Sequence, residues 1–447
     1  MRLLRRVVIF LALLVVLALA AATLVGLERV SPPPVAAVAP FEGPTRANAA
    51  RLLEAGREIF RYDTFGDETF WGGALRLHQA IAGARLGGVG PGLSPKHALG
   101  LGLKVDADKL PARLKKNLRA GLVDLGDPAT TLALLRLDAV VGVRGFFTGD
   151  RLTAVGVTCS ICHANVDDSF SPGIGRRRDG WANRDLNIGA IIALAPDLQP
   201  IANLLGIDQP TVRTVLQSWG PGKFDAVLSL DGKAFAPDGR PAAVLIPPTY
   251  GLAGVNLHMW TGFGSIPYWN AYVAVLQMHG QGTFFDERLN DPVKYPIAAR
   301  TGQWNVRSRP DLVTSKLAAL HFYQLSQPAP KPPAGSFNRP AARRGEAVFN
   351  GPGRCARCHV PPLFVEPGAN LHLPSELGID AFQADRSPTR RYKTAPLKGL
   401  WAHQKGGFFH DGRFPTLRDV VDHYDANLAL GLTEGQKADL VEYLKSL

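Results

Sequence analysis

Hydrophobic and polar positions follow three different regimes along the chain. Val7 to Leu27 is apolar almost without interruption, comes after the basic residues Arg2, Arg5 and Arg6, and ends before Ser31-Pro32-Pro33-Pro34. Such a run of 21 apolar residues fits both an export signal and a helix long enough to span a bilayer. Residues 1–27 are therefore read as a signal peptide cut around Ala20 to Ala22, or as an uncleaved membrane anchor. Residues 28–45 are read as a Pro-rich spacer. Either way the positive end stays inside, and the rest of the chain is delivered to the periplasm or its equivalent.

The second regime is helical and interrupted. Leu52, Leu53, Ile59 and Phe60 recur at helical spacing around Gly56-Arg-Glu-Ile-Phe60, predicting an amphipathic helix. The same phrase returns as Gly345-Glu-Ala-Val-Phe349 on a helical stretch from Arg339. In each, a glycine on the apolar face leaves room for a second helix to cross closely. For the later one the expected partner is the C-terminal helix, which opens with a capping-box pattern, Thr433-x-x-Gln436, and carries Leu440, Val441, Leu444 and Leu447 on one face. The third regime is the proline-rich run from Ser326 to Pro340, with Pro328, Pro330, Pro332, Pro333 and Pro340. It reads as a semi-rigid linker.

These regimes divide the chain into an N-terminal unit, 46–325, a Pro-rich linker, 326–340, and a C-terminal unit, 341–447. The first unit is enlarged by two insertions, roughly Arg61 to Val157 and Ile201 to Leu325. Gly 47 and Pro 35 are about half again the usual share and predict long irregular connections rather than sheets. With 46% hydrophobic and 20% charged residues the chain is no disordered polyelectrolyte. The formal charge of +12 does not lead to nucleic acid, because the basic residues form short scattered clusters such as Arg176, Arg177 and Arg178 without interleaved aromatics. It suits compensation of acidic cofactor groups and docking of an anionic partner.

The four cysteines stand as Cys159-Ser-Ile-Cys162-His163 and Cys355-Ala-Arg-Cys358-His359. In CxxCH, two thiols about one helical turn apart can add to the two vinyl groups of a haem, and the next residue sets an imidazole beneath the iron. Zinc held by two CxxC pairs would not need the histidines, and a redox dithiol would need a βαβ context. Two covalently attached haem c groups are expected, on Cys159, Cys162, Cys355 and Cys358, with His163 and His359 as iron ligands.

Downstream of the second motif, Arg391-Tyr-Lys-Thr-Ala-Pro-Leu-Lys-Gly-Leu-Trp401, Gly406-Gly-Phe-Phe-His410-Asp-Gly-Arg-Phe-Pro-Thr-Leu417 and Val420-Val421-Asp-His423-Tyr424 resemble the C-terminal haem domain of the bacterial di-haem cytochrome c peroxidase superfamily. That superfamily includes the di-haem enzyme that matures tryptophan tryptophylquinone and the haem-dependent rubber oxygenase. The resemblance is specific over about 110 residues and diffuse before them. It implies a mainly α fold of two cytochrome c-like haem domains, and calcium between the haems. The peroxidases place a methionine as sixth ligand of the C-terminal haem. Here the three methionines are Met1, Met259 and Met278, none of them after Cys355. The corresponding position is Tyr424, with His423 beside it, and one of these is the expected ligand.

The peroxidases also carry a removable histidine ligand after the first motif. The segment Gly173 to Asp185 has none, which implies an open first iron. His258-Met259 and Met278-His279 remain as alternatives, and Trp269 is a candidate inter-haem relay. The leading expectation is an exported di-haem redox enzyme, peroxidase-like or oxygenase-like, that activates peroxide or dioxygen at the N-terminal haem and passes electrons through the C-terminal one. Its partner would be a periplasmic electron-transfer protein. The alternative is a non-catalytic di-haem electron carrier for a periplasmic dehydrogenase or oxidase.

Overall fold

The computed structural model describes residues 42–447. The signal or anchor assigned to 1–27 and most of the spacer lie outside them. Packing divides the chain into Met1–Arg51 and Leu52–Leu447. Of the first unit only 42–51 is described, the exposed leading turns of helix α1, Glu42–Tyr62. This helix begins inside the stretch assigned to the spacer. Pro44 falls in its first turn, where no helical N–H bond is lost. Among the described residues no helix is long and apolar enough to cross a membrane.

Residues 52–447 are mainly helical. Sheets are confined to five two-stranded ribbons, as expected where glycine and proline keep interrupting the chain. The longest ribbon is the hairpin Val143–Thr148 with Arg151–Val157, turned by Gly149-Asp150. It delivers the chain to the first CxxCH motif, part of which forms the single-turn helix α2, Ser160–His163. Val157 N–H donates to the carboxyl of Asp67, a residue with no exposure. Burial pushes that carboxyl up to about 9.

Two hydrophobic cores form. One is drawn from residues 60–323, and the other from 348–444. Each is closed by its first and last helices crossing at a glycine. In the first, Gly56 of α1 lies against α3, Leu317–Ser326; a methyl group there would sit 2.1 Å from the Ala319 carbonyl oxygen. In the second, Gly345 of α4, Arg339–Asn350, faces the last helix, and a methyl group would meet the Asp439 carbonyl oxygen at 2.0 Å. Before that last helix comes α5, Leu417–Asn427, capped by Thr416 and Asp419. The last helix, α6, Glu434–Ser446, has the expected capping box of Thr433 and Gln436. Its Leu440, Tyr443 and Leu444 are buried, so the apolar face read from the sequence is the face that packs.

The proline-rich run 326–340 is pinned. Trp401 Nε1 donates to the Pro330 carbonyl at 3.0 Å. The segments read as insertions, 61–157 and 201–325, supply much of the first core, including Trp71, Leu132, Val212, Trp219 and Tyr272. The second insertion is also tied to the C-terminal half by Arg386. Its guanidinium, 1% exposed, bonds the carboxylates of Asp225 at 3.0 Å and Asp231 at 2.7 Å. A buried cation is tolerated there because both charges and their hydrogen bonds are matched.

Gly345→Ala and Gly56→Ala should each cost about 1–3 kcal/mol through backbone overpacking, read as a lower melting temperature, whereas Gly435→Ala, with no atom near its Cβ position, should not. Asp67 is neutral in the fold up to about pH 9 but ionised above about pH 4 when unfolded. Its contribution is therefore full at low pH and lost as pH rises through that window. Asp67→Asn should raise the melting temperature at pH 8, with the gain vanishing near pH 4.

Candidate functional site

Each CxxCH motif lies on the wall of its own cavity. The first cavity, about 230 Å³, is lined by Cys159, Cys162 and His163 together with Trp71, Ile188 and Trp269. The second, about 530 Å³, is lined by Cys355, Cys358 and His359, with Phe349 from α4, Tyr424 from α5 and Leu444 from α6. The helices that cross at Gly345 therefore also wall the second cavity.

The two motif histidines are held alike. His163 Nδ1 is 3.1 Å from the Pro247 carbonyl oxygen, and His359 Nδ1 is 3.2 Å from that of Phe364. A carbonyl accepts only, so in each ring Nδ1 carries the proton and Nε2 keeps its lone pair. Burial lowers both imidazoles to about 4, which keeps them neutral at physiological pH and ready to ligate a metal. The four thiols are unpaired. Burial pushes Cys159 and Cys162 up to about 12 and Cys355 to about 11. Such neutral thiols are poor redox nucleophiles. Paired thiols, an imidazole offering Nε2 and a largely apolar cavity fit a covalently attached haem at both motifs.

Cys358, Glu366 and His372 bring donor atoms within 4.8 Å of one another. His372 is already engaged on both sides, at Nε2 by Glu366 at 2.5 Å and at Nδ1 by Glu376 at 3.0 Å. As donor to the Cys358 sulfur and to these carboxylates its ring is favoured in the protonated form, which raises it to about 10. The cluster works as a hydrogen-bond network at the rim of the second cavity.

The candidate distal residues separate cleanly. Tyr424 lines the second cavity and is buried there as a neutral phenol, its pKa raised by burial. His423 is turned away, with Nε2 2.8 Å from the Leu377 carbonyl oxygen. At the first cavity, His258 and both internal methionines, Met259 and Met278, reach the lining. His258 Nε2 is engaged with the Val255 carbonyl at 3.0 Å. His279 does not line the cavity and stacks on Phe70 at 3.6 Å between ring centroids.

Trp269 lines the first cavity only, packed at 4.6 Å between centroids on Phe263. Trp260 lines both cavities, as do Lys393, Thr394, Ala395, Pro396 and His403. This shared wall is what the sequence reading missed. Trp260 directly follows His258-Met259, and Lys393 to Pro396 lie inside the quoted Arg391–Trp401 phrase, so the residues were in view but their common position was not. His403 is fixed by its Nδ1, 2.8 Å from Tyr250 Oη and 3.2 Å from the Gly399 carbonyl oxygen.

No family model matches the chain. Methylamine utilization protein MauG of Methylorubrum extorquens is 30% identical over 122 residues, covering 24% of this chain and 34% of that protein. The chain thus spans about a third of the curated relative it matches. This partial likeness agrees with the broad superfamily read from the motifs and with nothing narrower. Among solved structures, Kuenenia stuttgartiensis hydrazine synthase pressurized with xenon overlaps 48% of this chain and 76% of its own, at 19% identity and a TM-score of 0.26. That overlap is too slight to bear on the fold.

Replacing Cys159 and Cys162 together by alanine should remove half of the pyridine haemochrome signal, and the Cys355 and Cys358 pair the other half. His163→Gly or His359→Gly should open a site that added imidazole refills, seen as a recovered absorption spectrum. Two covalent haems retained in either double-cysteine variant would contradict the assignment.

Proposed function

We propose that this chain is an exported di-haem c-type redox enzyme, peroxidase-like or oxygenase-like, working in the periplasm. The observation that carries the reading is the pairing of two like sites: in each, a CxxCH motif lines a cavity with its imidazole tied to a backbone carbonyl through Nδ1, and one wall serves both cavities. Haem at such a site supplies an iron that cycles between oxidation states and can bind peroxide or dioxygen. The partial likeness to MauG supports a redox enzyme of this broad kind.

The protein's own part is attachment, orientation and insulation. Cys159 and Cys162, and Cys355 and Cys358, would hold the two cofactor edges. His163 and His359 would present Nε2, their rings unable to turn while Nδ1 is bonded. Tyr424 would close the second cavity from α5 as its sixth ligand, an oxygen donor that lowers the potential relative to methionine. The apolar lining would exclude water, and the side chains that line both cavities, Trp260 among them, would stand between the two cofactors. Residues 46–325 and 341–447 would act as the two cofactor domains, joined by 326–340, with the apolar N-terminal segment as export signal or anchor. The electron partner would be a periplasmic carrier.

A second reading, the non-catalytic electron carrier, is favoured by one observation. His258, Met259, Met278 and His403 all reach the first cavity, so it does not lack side chains able to give a sixth ligand. The ferric spin state decides between the two. The enzyme reading expects one high-spin iron that binds cyanide or, when reduced, carbon monoxide, and one protected low-spin iron whose spectrum changes in Tyr424→Phe and not in His423→Ala. Two low-spin irons, neither binding an external ligand, would establish the carrier.

A further inference from the structure

Four of the buried residues among those described are Lys or Arg: Lys104, Arg184, Arg386 and Lys393. Three have partners. Lys104 Nζ donates to Asp185 at 2.6 Å, Arg386 lies between Asp225 and Asp231, and Lys393 Nζ donates to the Glu366 carbonyl at 2.8 Å. Arg184 has none. It is 5% exposed, its side chain makes no hydrogen bond or ion pair, and its Nε and Nη1 are buried without an acceptor. The neighbouring Asp185 is taken by Lys104 and Lys405. A guanidinium keeps its proton in any protein setting, so this is a buried charge with neither anion nor acceptor, which is costly to hold without a counter-ion.

Arg184 comes from the segment after the first motif, yet it lines the second cavity. We propose that Arg184 is a cofactor-binding residue of the second site, receiving a carboxylate of the haem attached at Cys355 and Cys358. The assignment rests on the haem reading above and adds a specific contact to it. A guanidinium fork matches the two oxygens of a carboxylate, giving paired charge-assisted hydrogen bonds. Haem carries its two propionates on the edge away from the thioether bonds, so the receptor must lie away from the cysteines. The placement agrees: a methyl group on Gly406, away from the CxxCH motif in sequence, would lie 3.9 Å from Arg184 Nη1, and after burial the Arg184 charge helps to lower His403.

No other group nearby supplies the missing anion. His403 is held neutral with Nδ1 committed to Tyr250 and Gly399, Tyr250 donates to the Gly399 carbonyl at 2.8 Å, and Lys393 is itself a cation. A residue from the first half that binds the cofactor of the second would also couple the two halves, since loading the second site would neutralise a charge buried beside the shared wall.

The test uses the full-length chain with its haems, as wild type, Arg184→Lys and Arg184→Met. Covalent haem content is read by pyridine haemochrome and mass, and the potential of each haem by optical redox titration. Removing the positive charge stabilises ferric iron, so Arg184→Met should lower the potential of the second haem while the first changes less. Arg184→Lys, which keeps the charge but loses the fork, should lie between. Loss of the second haem alone in Arg184→Met also supports the assignment. If Arg184→Met does not fold, Arg184→Lys carries the test. Two haems retained with the second potential unmoved overturns it. Acetate added to the wild type distinguishes the source of the carboxylate: a saturable shift at the second haem that disappears in Arg184→Lys would show a site for a free carboxylate and overturn the cofactor assignment. A wild type without covalent haem overturns the cofactor reading itself.

Discussion

Where α4 meets α6 at Gly345, backbone lies directly against backbone, and the second site depends on that crossing. With no side chain at Gly345, the helices approach until their surfaces nearly touch. The same two helices bring Phe349, Leu440 and Leu444 onto the cavity wall. A wider crossing would move those side chains apart and open that cavity to water. The first half uses the same device, Gly56 against α3, with Phe60 packed on Tyr323 at 5.7 Å between centroids. That parallel is geometric, and it survives the 98 residues that separate Phe60 from Cys159 in the first half.

Burial then sets the chemistry. Dry surroundings disfavour charge, and Cys159, Cys162, Cys355, the motif imidazoles and Tyr424 are all held neutral by that one cause. Neutral imidazole is the ligating form, and backbone carbonyls select which nitrogen is free. Where the fold keeps a Lys or Arg inside, it supplies an acceptor: carboxylates for Arg386 and Lys104, a backbone carbonyl for Lys393. Arg184 breaks this pattern at a cavity wall.

The insertions of the first half carry more than cover. Trp260, from the second insertion, stands with Lys393 to Pro396 and His403, from the C-terminal half, between the two cavities. The wall is therefore composite, built from segments more than 130 positions apart. Arg386 and its two aspartates tie the same insertion to the C-terminal half. Such ties hold the two cavities at a fixed separation, which the proline-rich run 326–340 alone would not do.

What the sequence determined by itself was local. The CxxCH spacing, the Gly-x-x-x-Phe helices, the capping box at Thr433 and the apolar face of α6 are all set by residues within a few turns of one another, where covalent geometry and helical period leave little choice. The choice between Tyr424 and His423, adjacent in sequence, required the fold, since about 100° of helical rotation sends one side chain into the cavity and the other to the Leu377 carbonyl. Trp260 rather than Trp269 on the shared wall, the convergence of His258, Met259, Met278 and His403 on the first cavity, and the isolation of Arg184 are likewise products of packing. Each depends on contacts across long sequence separations, and no periodicity encodes those.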